Sequence, residues 1–215
     1  AKMPGVQVLF AHGLEFSHDL HLGQRFWQID LRKTTGRRYV VEQILHLLHA
    51  DGGQHFRPVR VRVPSLRIDL PIVWDGRKIP GGSPGYPACD VAEYWSAFGE
   101  PGAPGTAWIL AHAQQGMFLP LLTTLRSKGK EALLGRTVEV QLRDGRLLTY
   151  RTYKVHPSAT NTRIGTRKLK DDEHRLVLQT STGVGSAPKL LVAARLVDAT
   201  ITDEPRPTPD PRACG

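Results

Sequence analysis

The sequence predicts a mainly β protein with short helices, preceded by a partly helical N-terminal extension. Three observations predict it. Residues 59–63 (Val59-Arg60-Val61-Arg62-Val63) alternate apolar and charged side chains, as a half-buried strand does. Two more alternating runs, 137–142 and 147–155, flank Arg143-Asp144-Gly145-Arg146, and Asp-Gly between strands is a strong hairpin signal. Leu176-Val177-Leu178 is an apolar, partly β-branched run that Gln179, Thr180, Ser181, Thr182 and Gly183 bring to a stop.

Composition limits the possible functions. The chain has 215 residues, 40% of them hydrophobic, with 21 Gly and 16 Pro. That is enough for a sizeable core in a loop-rich globular protein, and it excludes a coiled coil or a disordered chain. The net charge of +9 is scattered singly along the strands, so it reads as surface charge with a possible pull toward anionic envelope polymers. There is no zinc-finger spacing, helix-turn-helix or aromatic-basic repeat, so no nucleic-acid partner is expected. No run of 18 apolar residues occurs, so no spanning helix is expected within this sequence. The start, residues 6–11, is too short for a signal-peptide core.

In chain order, residues 1–55 form the N-terminal extension. Val40, Val41, Ile44, Leu45, Leu47 and Leu48 recur at helical spacing, which predicts an amphipathic helix over 38–50 that Asp51-Gly52-Gly53 ends. His12, His18, His21, His46, His49 and His55 gather in this extension, but no carboxylate or cysteine completes a ligand set. No metal and no cofactor is expected. Residues 56–200 form the main domain. After the first alternating strand comes a second, 65–73, then a Pro/Gly loop over 79–87. Residues 89–95 read as a short helix with Asp90 near its start. Cys89 reads as a small buried side chain. The turn cluster 99–105 leads into an apolar strand, Thr106-Ala107-Trp108-Ile109-Leu110-Ala111, ending in His112. A short helix is expected within 116–134. The hairpin follows, then a long linker, 156–174. The stretch 189–197 is the last strand. Residues 201–215 are Pro-rich and polar and read as a frayed tail, so Cys214 is not expected to hold a fixed disulfide with Cys89.

Four motifs resemble the sortase family. Val63-Pro64-Ser65-Leu66 with Leu70-Pro71-Ile72-Val73 is similar to the start of the sortase barrel. Pro101-Gly102-Ala103-Pro104-Gly105 is similar to the turn before its histidine strand. Leu110-Ala111-His112, followed by Phe118 and Leu121, resembles its Ala-Gly-His and Phe-x-x-Leu. Val177-Leu178-Gln179-Thr180-Ser181 resembles Thr-Leu-x-Thr-Cys with serine in the cysteine position. The resemblance covers roughly 57–199. It implies a closed, mostly antiparallel, eight-stranded β-barrel with a groove at one mouth.

The resemblance also implies transpeptidation: cleavage of a Leu-Pro-x-Thr-Gly sorting signal through an acyl-enzyme, with transfer to an amine of the cell envelope. It implies His112 and Ser181 as catalytic residues, and Ala111, Phe118, Thr180 and Thr182 along the substrate. It implies a monomer at the outer face of the cell membrane, with its anchor outside this chain. Three departures follow, the smallest being Ala111 where the family has glycine. A serine, unlike a cysteine, needs a general base within about 2.6–3.2 Å. The family's arginine at the start of the last strand falls on Pro188 or Lys189, and Arg195, six residues on, shares a strand face with Lys189. The readings are a Ser181 enzyme using His112 with Lys189 or Arg195, a peptide-binding protein without turnover, an engineered cysteine-to-serine trap, or an unrelated β-barrel ligand binder.

Overall fold

The computed structural model describes residues 57–74, 88–166, 173–183 and 188–214. The helix expected over 38–50, the six histidines of the extension and the loop 79–87 lie outside them. The described strands are β1 (Pro58–Val63), β2 (Ile68–Trp74), β3 (Ala92–Tyr94), β4 (Gly105–Leu110), β5 (Thr137–Leu142), β6 (Arg146–Ala159), β7 (His174–Ser181) and β8 (Lys189–Ile201). They close into an eight-stranded barrel in the order β1-β2-β3-β4-β7-β8-β6-β5, with β5 pairing back onto β1. The β2–β3 and β4–β7 pairs are parallel and the rest antiparallel. The mainly β, closed-barrel expectation is therefore met.

Alternation builds the barrel wall. In β1, Val61 and Val63 are buried, while Arg60 and Arg62 point outward to ion pairs with Asp69, Glu139 and Glu204. The Asp144-Gly145 hairpin forms as expected, with Gly145 at φ +90°, a backbone region that favours glycine. Strands β4 and β7 and the first half of β8, Leu190 to Ala194, are buried on both faces. Their inner side chains join the main core with Phe118 and Tyr150. Their outer ones, Trp108, Val177, Leu191 and Ala193, pack under Phe98 and Tyr153. A strand covered on both sides reads as a continuous apolar run, which is why Leu176-Val177-Leu178 stands out in the sequence.

The expected helix within 116–134 is α1 (Leu119–Lys128). Three expectations are corrected. Residues 89–95 are not a helix: Asp90 sits at φ +64°, and Ala92–Tyr94 forms β3. Pairing with β2 on one side and β4 on the other outweighs a weak local signal in so short a segment. The linker 156–174 is shorter than expected, because β6 runs on to Ala159 before β7 begins at His174; the last strand, expected over 189–197, likewise runs on to Ile201.

The tail is not frayed. Thr202 N donates to Gly145 O, Glu204 meets Arg60 and Arg62, and Gln141 Nε2 donates to Glu204 O. Farther along, Cys89 and Arg212 exchange two backbone hydrogen bonds, and Cys89 and Cys214 form a disulfide. Pro205, Pro207, Pro209 and Pro211 stiffen this stretch, so little chain entropy is lost when its far end docks. Among the described residues, no helix is long and apolar enough to cross a membrane.

Candidate active site

The site is at the barrel end where β4 and β7 both stop. These strands run parallel, with Leu110 opposite Gln179. The ladder continues one step further: Ala111 N donates to Gln179 O at 3.1 Å, and Thr180 Oγ1 donates to Ala111 O at 2.9 Å. His112 and Ser181, the next residue on each chain, therefore leave neighbouring strands at the same mouth. Both are half-buried. The turn after His112 is fixed by Phe118 N donating to His112 O at 3.0 Å. Phe118 and Leu121 are both buried in the core, so the Phe-x-x-Leu pattern anchors the loop that carries the histidine.

Lys189 is directly opposite Ser181 in the antiparallel β7–β8 ladder. Side chains of directly opposed residues share a face. The result is a contact of 3.1 Å between Lys189 Nζ and Ser181 Oγ. Register thus gives the slot at the start of the last strand to Lys189, because Pro188 precedes the ladder. Thr182 closes the neck of the loop: its N–H and hydroxyl both donate to Pro188 O, and Arg126 of α1 donates to Thr182 O at 2.7 Å. The structure therefore adds a cation, Arg126, within one residue of Ser181.

The other expected site residues are less exposed or farther along the strands. Ala111, Phe118 and Thr180 are buried at 3%, 0% and 2% exposure, so their side chains are enclosed by the fold. The Thr182 side chain is spent on Pro188. Arg195 is opposite Arg175, near the start of β7, six pairs from Ser181. At about 3.3 Å per residue this is roughly 20 Å along the strand. Sharing a strand face with Lys189 does not bring it to the same mouth.

Cys89 is also corrected. It is half-buried and disulfide-bonded to Cys214, and both sulfurs lie within 4.8 Å of a ring nitrogen of His112. Gln114 Oε1 is 2.9 Å from Cys89 Sγ. Two cysteines 125 residues apart carry no pairing signal in a sequence, so their meeting beside the histidine could not be read there.

A closed barrel of this topology, with a histidine and a hydroxyl leaving adjacent parallel strands at one mouth, defines a sortase-like fold. No family model and no curated protein matches the sequence. Solved structures match the fold. Sortase C2 from pilus island 1 of Group B Streptococcus aligns with a TM-score of 0.51 at 16% identity, covering 74% of this chain and 98% of that one. Sortase C1 from Streptococcus suis aligns at 0.50 and 16%, covering 80% and 87%. A lid mutant of sortase A from Corynebacterium diphtheriae aligns at 0.50 and 16%, covering 72% and 78%.

Proposed function

We propose that this chain is a sortase-like acyltransferase or peptidase that works through an acyl-enzyme on Ser181, the serine in the family's cysteine position. Its substrate is a sorting-signal peptide of the Leu-Pro-x-Thr-Gly type, and its acceptor is an amine of the cell envelope. The observation that carries this reading is the 3.1 Å contact between Lys189 Nζ and Ser181 Oγ. A serine hydroxyl needs a base within hydrogen-bond reach, and serine–lysine pairs are one known solution.

In this mechanism an unprotonated Lys189 takes the Ser181 proton as Oγ attacks the threonine carbonyl. The Thr–Gly bond breaks, and the glycine amine leaves with a proton. His112, at the same mouth, is the donor we assign to that amine. An incoming amine then attacks the ester, losing a proton to His112, and the Lys189 ammonium returns its proton to Oγ as the ester bond breaks, regenerating Ser181. The Cys89–Cys214 disulfide supports an oxidising compartment, consistent with the outer face of the cell membrane.

The test is incubation with a panel of Leu-(Pro/Ala)-x-Thr-Gly peptides, followed by intact mass and cleavage. Ser181→Ala, Ser181→Cys and His112→Ala are run beside the parent. An ester adduct on the parent, lost in Ser181→Ala, is the expected result. Peptide binding with no adduct would make this a binding protein. Turnover only in Ser181→Cys would make the serine a block on a cysteine enzyme.

A further inference from the structure

The C-terminal strap ends against the imidazole that the proposed chemistry needs. From Glu204, held by Arg60 and Arg62, a proline-alternating stretch leads to Arg212, which pairs with the backbone of Cys89. Cys214 then bonds to Cys89, with both sulfurs within 4.8 Å of His112. With the sulfurs joined, this Cys-His-Cys trio has no thiolates to offer a metal. What remains is a covalent clasp beside the site histidine.

We infer that the Cys89–Cys214 disulfide is a redox clasp, closing the C-terminal strap over His112 when oxidised and opening the site when a dithiol reduces it. This rests on the reading of His112 as a site residue. Three observations carry it. First, among the described residues, the far end of the strap is held apart from the disulfide by the two Cys89–Arg212 backbone bonds, 2.9 and 3.3 Å, and by an Arg212–Asp90 pair at 3.7 Å whose side chains are 67% and 59% exposed. Exposed pairs of this kind hold weakly, so the covalent bond is the main restraint. Second, both cysteines are half-buried and not sealed in the core, so a thiol can reach them. Third, Gln114 Oε1 at 2.9 Å from Cys89 Sγ has no proton to accept while the disulfide stands. In the reduced protein it accepts the Cys89 S–H, so the opened state has a ready hydrogen bond.

The step balances. A dithiol reductant attacks one sulfur as thiolate, forming a mixed disulfide and releasing the other sulfur. Its second thiol resolves the mixed disulfide. Two electrons and two protons end on Cys89 and Cys214, and the reductant leaves as its own disulfide.

The test reads His112 directly and uses no peptide substrate. Purified protein kept oxidised, protein reduced with dithiothreitol and desalted, and the Cys214→Ser variant are treated with diethyl pyrocarbonate. Modification of each histidine is then timed by peptide mass spectrometry. His174, whose Nδ1 is 2.8 Å from Gly102 O at the start of β7, is the internal reference for intact folding. We expect His112 to react at least fivefold faster in the reduced and Cys214→Ser proteins, with His174 unchanged. Equal His112 rates in all three, or two free thiols in the protein purified without reductant, would overturn the clasp. If His112 responds but no peptide ever acylates Ser181, the clasp stands and the proposed enzyme falls. If acylation occurs with no redox effect at His112, the reverse holds.

Discussion

Replacing Lys189 separates two roles that the contact with Ser181 allows. A lysine 3.1 Å from the hydroxyl is either its base or a fixed positive charge that steadies the oxyanion. Lys189→Met removes both functions. Lys189→Arg keeps the charge but brings a guanidinium that stays protonated and has no acceptor. Loss of a general base costs about 10²–10⁴ in rate, or about 2.7–5.4 kcal/mol at about 1.36 kcal/mol per decade. As a base, Lys189 should therefore fall by that amount in both variants. As an oxyanion partner, it should lose about 10²–10³ in Lys189→Met and little in Lys189→Arg. The assay is single-turnover release of the glycine-side fragment at saturating enzyme, followed by chromatography, with urea unfolding of each variant as the control for fold. Lys189→Arg within fivefold of the parent, beside a hundredfold loss in Lys189→Met, would refute the base assignment.

Three further outcomes follow from the same contacts. Cys214→Ser frees a cross-link with a sequence separation of 125, and loop-closure entropy puts the loss near 5 kcal/mol, with about 2–4 kcal/mol typical of measured cases. Urea unfolding without reductant should show a clearly lower midpoint, and an unchanged one would mean that the tail docks without the bond. Thr180→Val leaves the buried Ala111 carbonyl without the hydroxyl that now reaches it at 2.9 Å. It should cost about 1–3 kcal/mol with the m-value unchanged, whereas a neutral result would deny that this bond holds the β4 and β7 ends together. Glu204→Ala breaks the ion pairs to Arg60 and Arg62, whose side chains are about one-fifth exposed against 41% for Glu204. It should cost about 1 kcal/mol or less, fading at high salt, and a loss independent of salt would point to packing instead.

Strands with a strong period were legible. The alternation of β1, the Asp-Gly hairpin and the apolar run of β7 each specify their element from local chemistry, and the structure has all three. The three-residue β3 was not legible, because it exists through its two neighbours and not through its own pattern. The mouth of the barrel was partly legible. His112 and Ser181 each end an apolar run, and parallel pairing of β4 with β7 brings those ends together. That Lys189 faces Ser181 depends on the register set by the loop between them, which sequence alone leaves one residue uncertain. The distance of Arg195 from Ser181 was not legible, because strand periodicity fixes a side chain's face and not its position along the strand. The burial of Thr180 and Phe118 was not legible, because enclosed motif residues are as regular in spacing as exposed ones. The docked tail was not legible, because a Pro-rich, polar composition fits a frayed end as well as it fits a stiff chain with an anchor at each end.

The most direct measurement traps the reaction midway. Protein mixed with a Leu-Pro-x-Thr-Gly peptide is quenched in acid without an acceptor amine, digested, and searched for the peptide fragment that carries the acyl group. An acyl ester mapped to Ser181 is the expected result. An adduct on any other residue, or full cleavage with Ser181 never acylated, would contradict the account.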